Sequence, residues 1–148
     1  MRAIYEIAGK FEEPVPCETL VNGWVDPAVT VRRSRVYEFA YSGDGEALGG
    51  FVRHCLFDPI SQVLGRDEGL WPEAGFVLDV AMKPGALDLE KEAILDVQRR
   101  WPEAGFRIES LRLHHRYAAF GPVTAEVIRR MERDLVNPAI QTRRVARP

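Results

Sequence analysis

At 148 residues the chain is long enough for one ordinary domain or two very small units sharing a core. Its 46% hydrophobic and 28% charged residues exclude a disordered chain, and a net charge of -2 provides no electrostatic footprint for nucleic acid. No apolar run approaches the roughly 18 residues that span a bilayer, and Met1-Arg2-Ala3-Ile4-Tyr5-Glu6 reaches an acid before any signal core could form. A soluble cytoplasmic protein is expected, with Cys17 and Cys55 as reduced thiols.

Taken in chain order, Ala3–Ala8 reads as a strand, and Glu13–Gly23, with two prolines and few periodic apolar residues, reads as irregular. Residues 31–41 are expected to hold two more strands. Asp44 can cap a helix whose Leu48, Val52, Cys55 and Leu56 face inward. Gly49-Gly50 inside it should cost about 1 kcal/mol each relative to alanine, which a close backbone contact would rationalise. Residues 60–64 follow as a strand.

In the second half, Phe76, Leu78, Val80 and Met82 alternate with Val77, Asp79, Ala81 and Lys83, the period of a strand with one well-buried face. Lys83-Pro84-Gly85 closes that strand. Asp88 caps a helix with an apolar stripe of Ala93, Ile94, Val97 and Trp101, and with Glu90 and Arg99-Arg100 complementing its dipole. Residues 106–113 and 116–120 read as two strands, the alternation changing face between Ile108 and Leu111 as at a bulge. Thr124 caps a helix carrying Val127, Ile128, Met131 and Leu135, which Asn137-Pro138 ends. A strand over 139–145 completes a β-α-β-β-α-β order, that of a ferredoxin-like unit.

The two halves resemble each other. Leu56-Phe57-Asp58-Pro59-Ile60-Ser61-Gln62 reads against Leu135-Val136-Asn137-Pro138-Ala139-Ile140-Gln141, and Val31–Tyr37 against Leu111–Tyr117. The offset is 79 for the Asp/Asn-Pro pair and 80 for the tyrosines, which points to an internal duplication. A different repeat, Trp71-Pro72-Glu73-Ala74-Gly75-Phe76 and Trp101-Pro102-Glu103-Ala104-Gly105-Phe106, is out of step with that period and reads as a lead-in turn before each strand.

Little in the chain points to chemistry. Ser42-Gly43-Asp44-Gly45 lacks the lysine and spacing of a phosphate loop, and neither cysteine sits in a nucleophile motif. His114 and His115 are adjacent on a strand, so they point to opposite faces and cannot share a metal. No cofactor or metal site is expected. Arg32, Arg33, Arg35, Arg112 and Arg116 fall within the matching segments of the two halves, as a solvated hairpin or a surface for an acidic partner. Arg143, Arg144 and Arg147 read as solvated.

Lys83-Pro84-Gly85-Ala86-Leu87-Asp88, Leu111-Arg112-Leu113-His114-His115 and Leu135-Val136-Asn137-Pro138-Ala139-Ile140 stand in the order of three motifs of the PurS family. Residues 75–146 thus resemble PurS, the small subunit of phosphoribosylformylglycinamidine synthase. The first half is similar to the PurS-like region of large single-chain synthases. The family's Gly-Lys pair is replaced by Ser34-Arg35 and His114-His115, and the first half lacks Lys-Pro-Gly-x-Leu-Asp.

The resemblance implies an α+β fold of two PurS-like, ferredoxin-like subdomains in tandem, residues 1–70 and 71–148, forming a pseudo-dimer with antiparallel sheets. It also implies a non-catalytic role in purine biosynthesis. Such a subunit bridges a PurL-type synthetase and a PurQ-type glutaminase for ammonia transfer, with homo-oligomers as a further possibility. Arg32, Arg35, Lys83, Pro84, Gly85, Arg112, His115, Asn137 and Pro138 are the candidate partner interface. The alternative is an ACT-like module that senses a small metabolite, for which Gly49-Gly50 could line a site.

Overall fold

A computed structural model describes residues 1–101 and 105–146. It holds strands β1 (Arg2–Gly9), β2 (Val15–Pro16), β3 (Thr30–Gly43), β4 (Gln62–Arg66), β5 (Phe76–Met82), β6 (Phe106–Phe120) and β7 (Gln141–Ala146). The helices are α1 (Gly45–Cys55), α2 (Leu89–Arg99) and α3 (Ala125–Leu135), and one 3-10 turn over Cys17–Thr19 lies between β2 and β3. The class is α+β. None of these helices is long and apolar enough to cross a membrane.

All strands lie in a single antiparallel sheet of order β4-β1-β3-β6-β5-β7, with the short β2 beside β3. Each half of the chain therefore contributes an edge strand, an inner strand and one long central strand. The central pair, β3 and β6, runs from Thr30↔Phe120 to Gly43↔Phe106.

Three sequence expectations change here. The two strands expected in 31–41 are one 14-residue strand, and the two expected in 106–120 are one 15-residue strand. No glycine, proline or asparagine stands between Leu113 and Tyr117 to turn the chain, so β6 continues past the end of β5 and finds its partners on β3. Through this pair the strands of the two halves join in one sheet. The strand expected over 60–64 begins at Gln62, because Asp58 and Pro59 hold the preceding residues in a turn. The bulge is real: the register slips between Ala40 and Tyr41, leaving Glu109 without a partner.

One sheet face carries all three helices. Tyr5, Ile7, Tyr37, Phe39, Leu111 and Leu113 meet Leu48, Phe51 and Val52 of α1 and Ile94 of α2. Phe76, Leu78, Val80 and Ala119 meet Val127 and Met131 of α3, together with Cys17, Val21, Val25 and Val29 of the irregular segment. Burying one such side chain contributes about 1.5–3 kcal/mol. On α1 the central buried residue is Phe51, whose ring is tilted against Phe106 and edge-on to Trp101; Cys55 is only half-buried. Burial pushes both the Cys17 and the Cys55 thiols up from their ordinary value. On α2, Val97 is exposed, and the stripe reduces to Ile94 with partial cover from Leu95 and Trp101.

The helix caps are as expected: Asp44 accepts from Glu46 N, Asp88 from Lys91 N and Thr124 from Val127 N. The connection from β4 to β5, residues 67–75, crosses the other sheet face. There Trp71 and Ala74 pack on Val77, Ala118 and Phe120. Ala74 N donates to Trp71 O, and Phe76 is buried, so the first Trp-Pro-Glu-Ala-Gly-Phe segment is a turn leading into β5. The middle of the second copy, Pro102 to Ala104, and Arg147 lie outside the described residues.

Gly49 and Gly50 differ sharply. A Cβ on Gly49 would stand 3.3 Å from the Tyr5 hydroxyl, whereas one on Gly50 would meet nothing within 4 Å. Gly121, between β6 and α3, has φ +92°, and its Cβ would collide with the Ala28 carbonyl oxygen. Gly50→Ala should therefore raise the unfolding free energy by about 0.5–1 kcal/mol. Gly121→Ala should lower it by about 1–3 kcal/mol or more. Denaturant titration of the two variants checks both signs.

Candidate interface and buried ionic cluster

The Asp/Asn-Pro motifs close two matching turns. Around Asn137, Ala139 N donates to Asn137 Oδ1 (3.1 Å), Asn137 N to Gln141 Oε1 (2.8 Å) and Gln141 N to Asn137 O (2.8 Å). Around Asp58 the same bonds recur: Ile60 N to Asp58 Oδ1 (3.0 Å), Asp58 N to Gln62 Oε1 (2.8 Å) and Gln62 N to Asp58 O (2.9 Å). The glutamine four residues on thus closes each turn. Each turn is also tied to the end of an inner strand. Lys83 N donates to Ile140 O and Lys10 N to Ser61 O, both at 2.8 Å.

Lys83, Pro84 and Gly85 form a tight turn, with Ala86 N donating to Lys83 O and Gly85 at φ +86°. The structure therefore brings Lys83-Pro84-Gly85 and Asn137-Pro138 together at one corner of the sheet. Lys10 and Asp58-Pro59 make the counterpart corner, where Lys10 Nζ also donates to Pro59 O at 2.9 Å.

The basic residues do not form one surface. Arg35 and His115 are direct register partners at the centre of the β3–β6 ladder, on the helical face. Arg35 pairs with Glu90 of α2 at 2.6 Å. His115 is exposed at its edge, yet partial desolvation and the Arg35 charge push its imidazole below the ordinary value. Together with Arg33, Tyr37 and Gln62 these residues line a cleft of ≈ 460 Å³. Arg32 and Arg112 lie on the opposite face, towards its two ends, in register with Ala118 and Glu38.

Arg116 is not a surface residue. Its guanidinium binds Asp79 through two bonds (Nε–Oδ1 2.8 Å, Nη2–Oδ2 3.0 Å) and Glu6 through Nη1–Oε1 (2.9 Å). Glu6 and Asp79 are 2% and 3% exposed. Ser34 Oγ donates to Glu6 Oε2 at 2.7 Å, and Leu70 N to Glu6 Oε1 at 3.3 Å. The buried His114 places Nε2 3.4 Å from Asp79 Oδ2, in ion-pair range but without a formed hydrogen bond. Arg144 reaches Asp79 Oδ2 at 3.3 Å and Glu38 Oε1 at 3.2 Å, and Arg143 pairs with Glu132, so these tail arginines are not merely solvated.

Glu6 and Asp79 occupy matching places, Glu6 opposite Val36 on β3 and Asp79 opposite Arg116 on β6. One guanidinium thus bridges a carboxylate from each half of the chain. Burial opposes ionisation of Asp79, but His114 and Arg116 outweigh it and hold the carboxyl well below the usual carboxylate range. A charged residue amid the apolar positions of 76–82 was the signal available in the sequence; its partners were not.

Among the described residues, no group of three His, Cys, Asp or Glu side chains is placed to hold a metal. No protein-family model matches the chain, and no curated protein matches it.

Arg116→Met would leave two buried carboxylates without their shared cation, and should cost about 3–5 kcal/mol in equilibrium unfolding. Asp79 adds a pH dependence. Its folded-state pKa lies below the unfolded value of about 3.9, so its contribution is complete above that pH and is lost progressively as pH falls below it. Between about pH 5 and pH 3 the wild-type melting temperature should fall more steeply than that of Asp79→Asn.

Proposed function

We propose that the chain is a non-catalytic accessory subunit of an ATP- and glutamine-dependent ligase of the phosphoribosylformylglycinamidine synthase type. In this reading it is built as two PurS-like, ferredoxin-like halves, residues 1–70 and 71–148, which associate within one chain as two subunits of a dimer would. The observation that carries the reading is the recurrence of one hydrogen-bonded turn around Asp58-Pro59 and Asn137-Pro138, each tied to the end of an inner strand through Lys10 or Lys83. Two of the three motifs that resemble PurS meet in the corner formed by Lys83-Pro84-Gly85 and Asn137-Pro138, and the third, Leu111–His115, runs along β6.

The role is geometric. A subunit that docks a glutaminase against a synthetase delivers ammonia at high effective concentration, where free diffusion would lose it to solvent. Two rigid corners on one continuous sheet suit a bridge, because each can engage a different partner at a constant separation.

Co-expression with the synthetase and glutaminase subunits of the same organism should yield a complex with glutamine-dependent amidine formation. Omitting the chain should abolish that activity and spare activity supported by added ammonia. Full glutamine-dependent activity without the chain would overturn the proposal. Lys83→Glu should weaken complex formation on a sizing column while leaving the unfolding midpoint nearly unchanged.

The cleft beside Arg33, Arg35, Tyr37, Gln62 and His115 favours a second reading, an ACT-like module for a small metabolite. A thermal-shift screen with amino acids and purine nucleotides separates the two, since a ligand bound only by the native state raises the melting temperature.

A further inference from the structure

The face of the sheet that carries no helix is covered at one end only. The crossing segment, Asp67-Glu68-Gly69-Leu70-Trp71-Pro72-Glu73-Ala74-Gly75, holds three carboxylates and a tryptophan. It enters through Ile4 N donating to Asp67 Oδ1 and passes over Glu6 through Leu70 N. Trp71 and Ala74 then seat on Val77, Ala118 and Phe120, and Gly75 N donates to Ala119 O.

Those seats have counterparts at the other end of the face. Ala118 and Phe120 stand 80 residues after Glu38 and Ala40, and the register pair Val77↔Ala118 matches Ile4↔Glu38. At this second end the described residues supply no cover. Ile4 is 40% exposed, and Ile4, Glu38, Ala40 and Ser110 line a groove of ≈ 440 Å³ with Arg2, Arg112 and Arg144 around them. Arg144 is engaged by Glu38 and Asp79. Arg2 and Arg112 are exposed and form no ion pair among the described residues. Lys83 lies two residues beyond Ala81 on the same face, as Arg112 lies two before His114, its register partner.

We infer that this groove docks an acidic, extended segment of a partner protein that carries one large apolar side chain. The chain's own crossing segment shows the apolar half of this arrangement, with Trp71 seated on the matching positions at the covered end, and the acidic half follows from the charges of Arg2 and Arg112. The apolar part rests on Ile4 and Ala40, and the carboxylates reach Arg2 and Arg112, where arginine's planar fork favours bidentate pairing. The groove's charge opposes the overall negative charge of the chain, so the attraction is local and directs a negatively charged partner to this end. A second copy laid face to face would set Arg2 and Arg112 against like charges, and its own acidic segment is already seated. The inference goes beyond the accessory role and holds whichever enzyme supplies the segment.

The test uses the full chain and a labelled peptide with the sequence of residues 67–75, read by fluorescence anisotropy. The peptide should bind, more weakly as salt rises, while a peptide with asparagine and glutamine in place of its acids should not. Combining Arg2→Glu with Arg112→Glu should weaken binding by about tenfold or more. Arg99→Glu, on α2 at the opposite face, should leave binding unchanged, and circular dichroism should report the same fold for all variants. Lack of peptide binding up to about 1 mM, equal binding of the amide peptide, or indifference to the double substitution would overturn the inference. So would tighter binding of a single-stranded oligonucleotide, or wild-type self-association in sedimentation that the double substitution abolishes.

Discussion

The antiparallel ladder between β3 and β6 is the interaction on which the rest of the molecule depends. Each half of the chain is too small to enclose a substantial core, and the ladder lets each core cluster draw on both halves. The Arg35↔His115 pair at its middle joins residues that match at the 80-residue offset, so the two strands run past each other evenly from that point. Everything else hangs from this axis: β1 and β4 on one side, β5 and β7 on the other, and the helices on one face.

Arg116 makes that union specific. A long ladder of alternating residues could slip by two positions at little cost to its apolar pattern, but the buried carboxylates of Glu6 and Asp79 then lose their shared guanidinium. The cluster sits where β1, β3, β6 and β5 are all in reach, and the crossing segment covers it through Leu70. The asymmetry is also informative. Val36 stands where a second arginine would match Arg116, so one cation serves both halves, and Arg144 adds support from the β7 edge.

That asymmetry extends over the whole helix-free face. Only one connection crosses between the halves, so it can cover only one end. Val77, Ala118 and Phe120 lie beneath it, whereas Ile4, Glu38 and Ala40 remain open among arginines. The two corners built on Lys10 with Asp58-Pro59 and Lys83 with Asn137-Pro138 are alike in their backbone bonds and different in charge, Asp in one and Asn in the other. The framework of the two halves is matched, and their surfaces are not.

The amino-acid sequence by itself determined the local elements: the caps at Asp44, Asp88 and Thr124, the turns at Lys83-Pro84-Gly85 and Asn137-Pro138, and the bulge near Ile108. These depend on neighbours a few residues apart, whose side chains and backbone preferences are written in order along the chain. Of the nine residues named as a candidate interface, the structure brings Lys83, Pro84, Gly85, Asn137 and Pro138 to one corner and divides Arg32, Arg35, Arg112 and His115 between the two faces. Only the tertiary structure decided that 106–120 is a single strand, that Arg35 and His115 face the helices while Arg32 and Arg112 face away, and that Arg116 is buried. Those outcomes turn on pairings between residues as far apart as Glu6 and Arg116. A long-range partner leaves no local period, so a buried arginine and a solvated one look the same until the strands beside them are known.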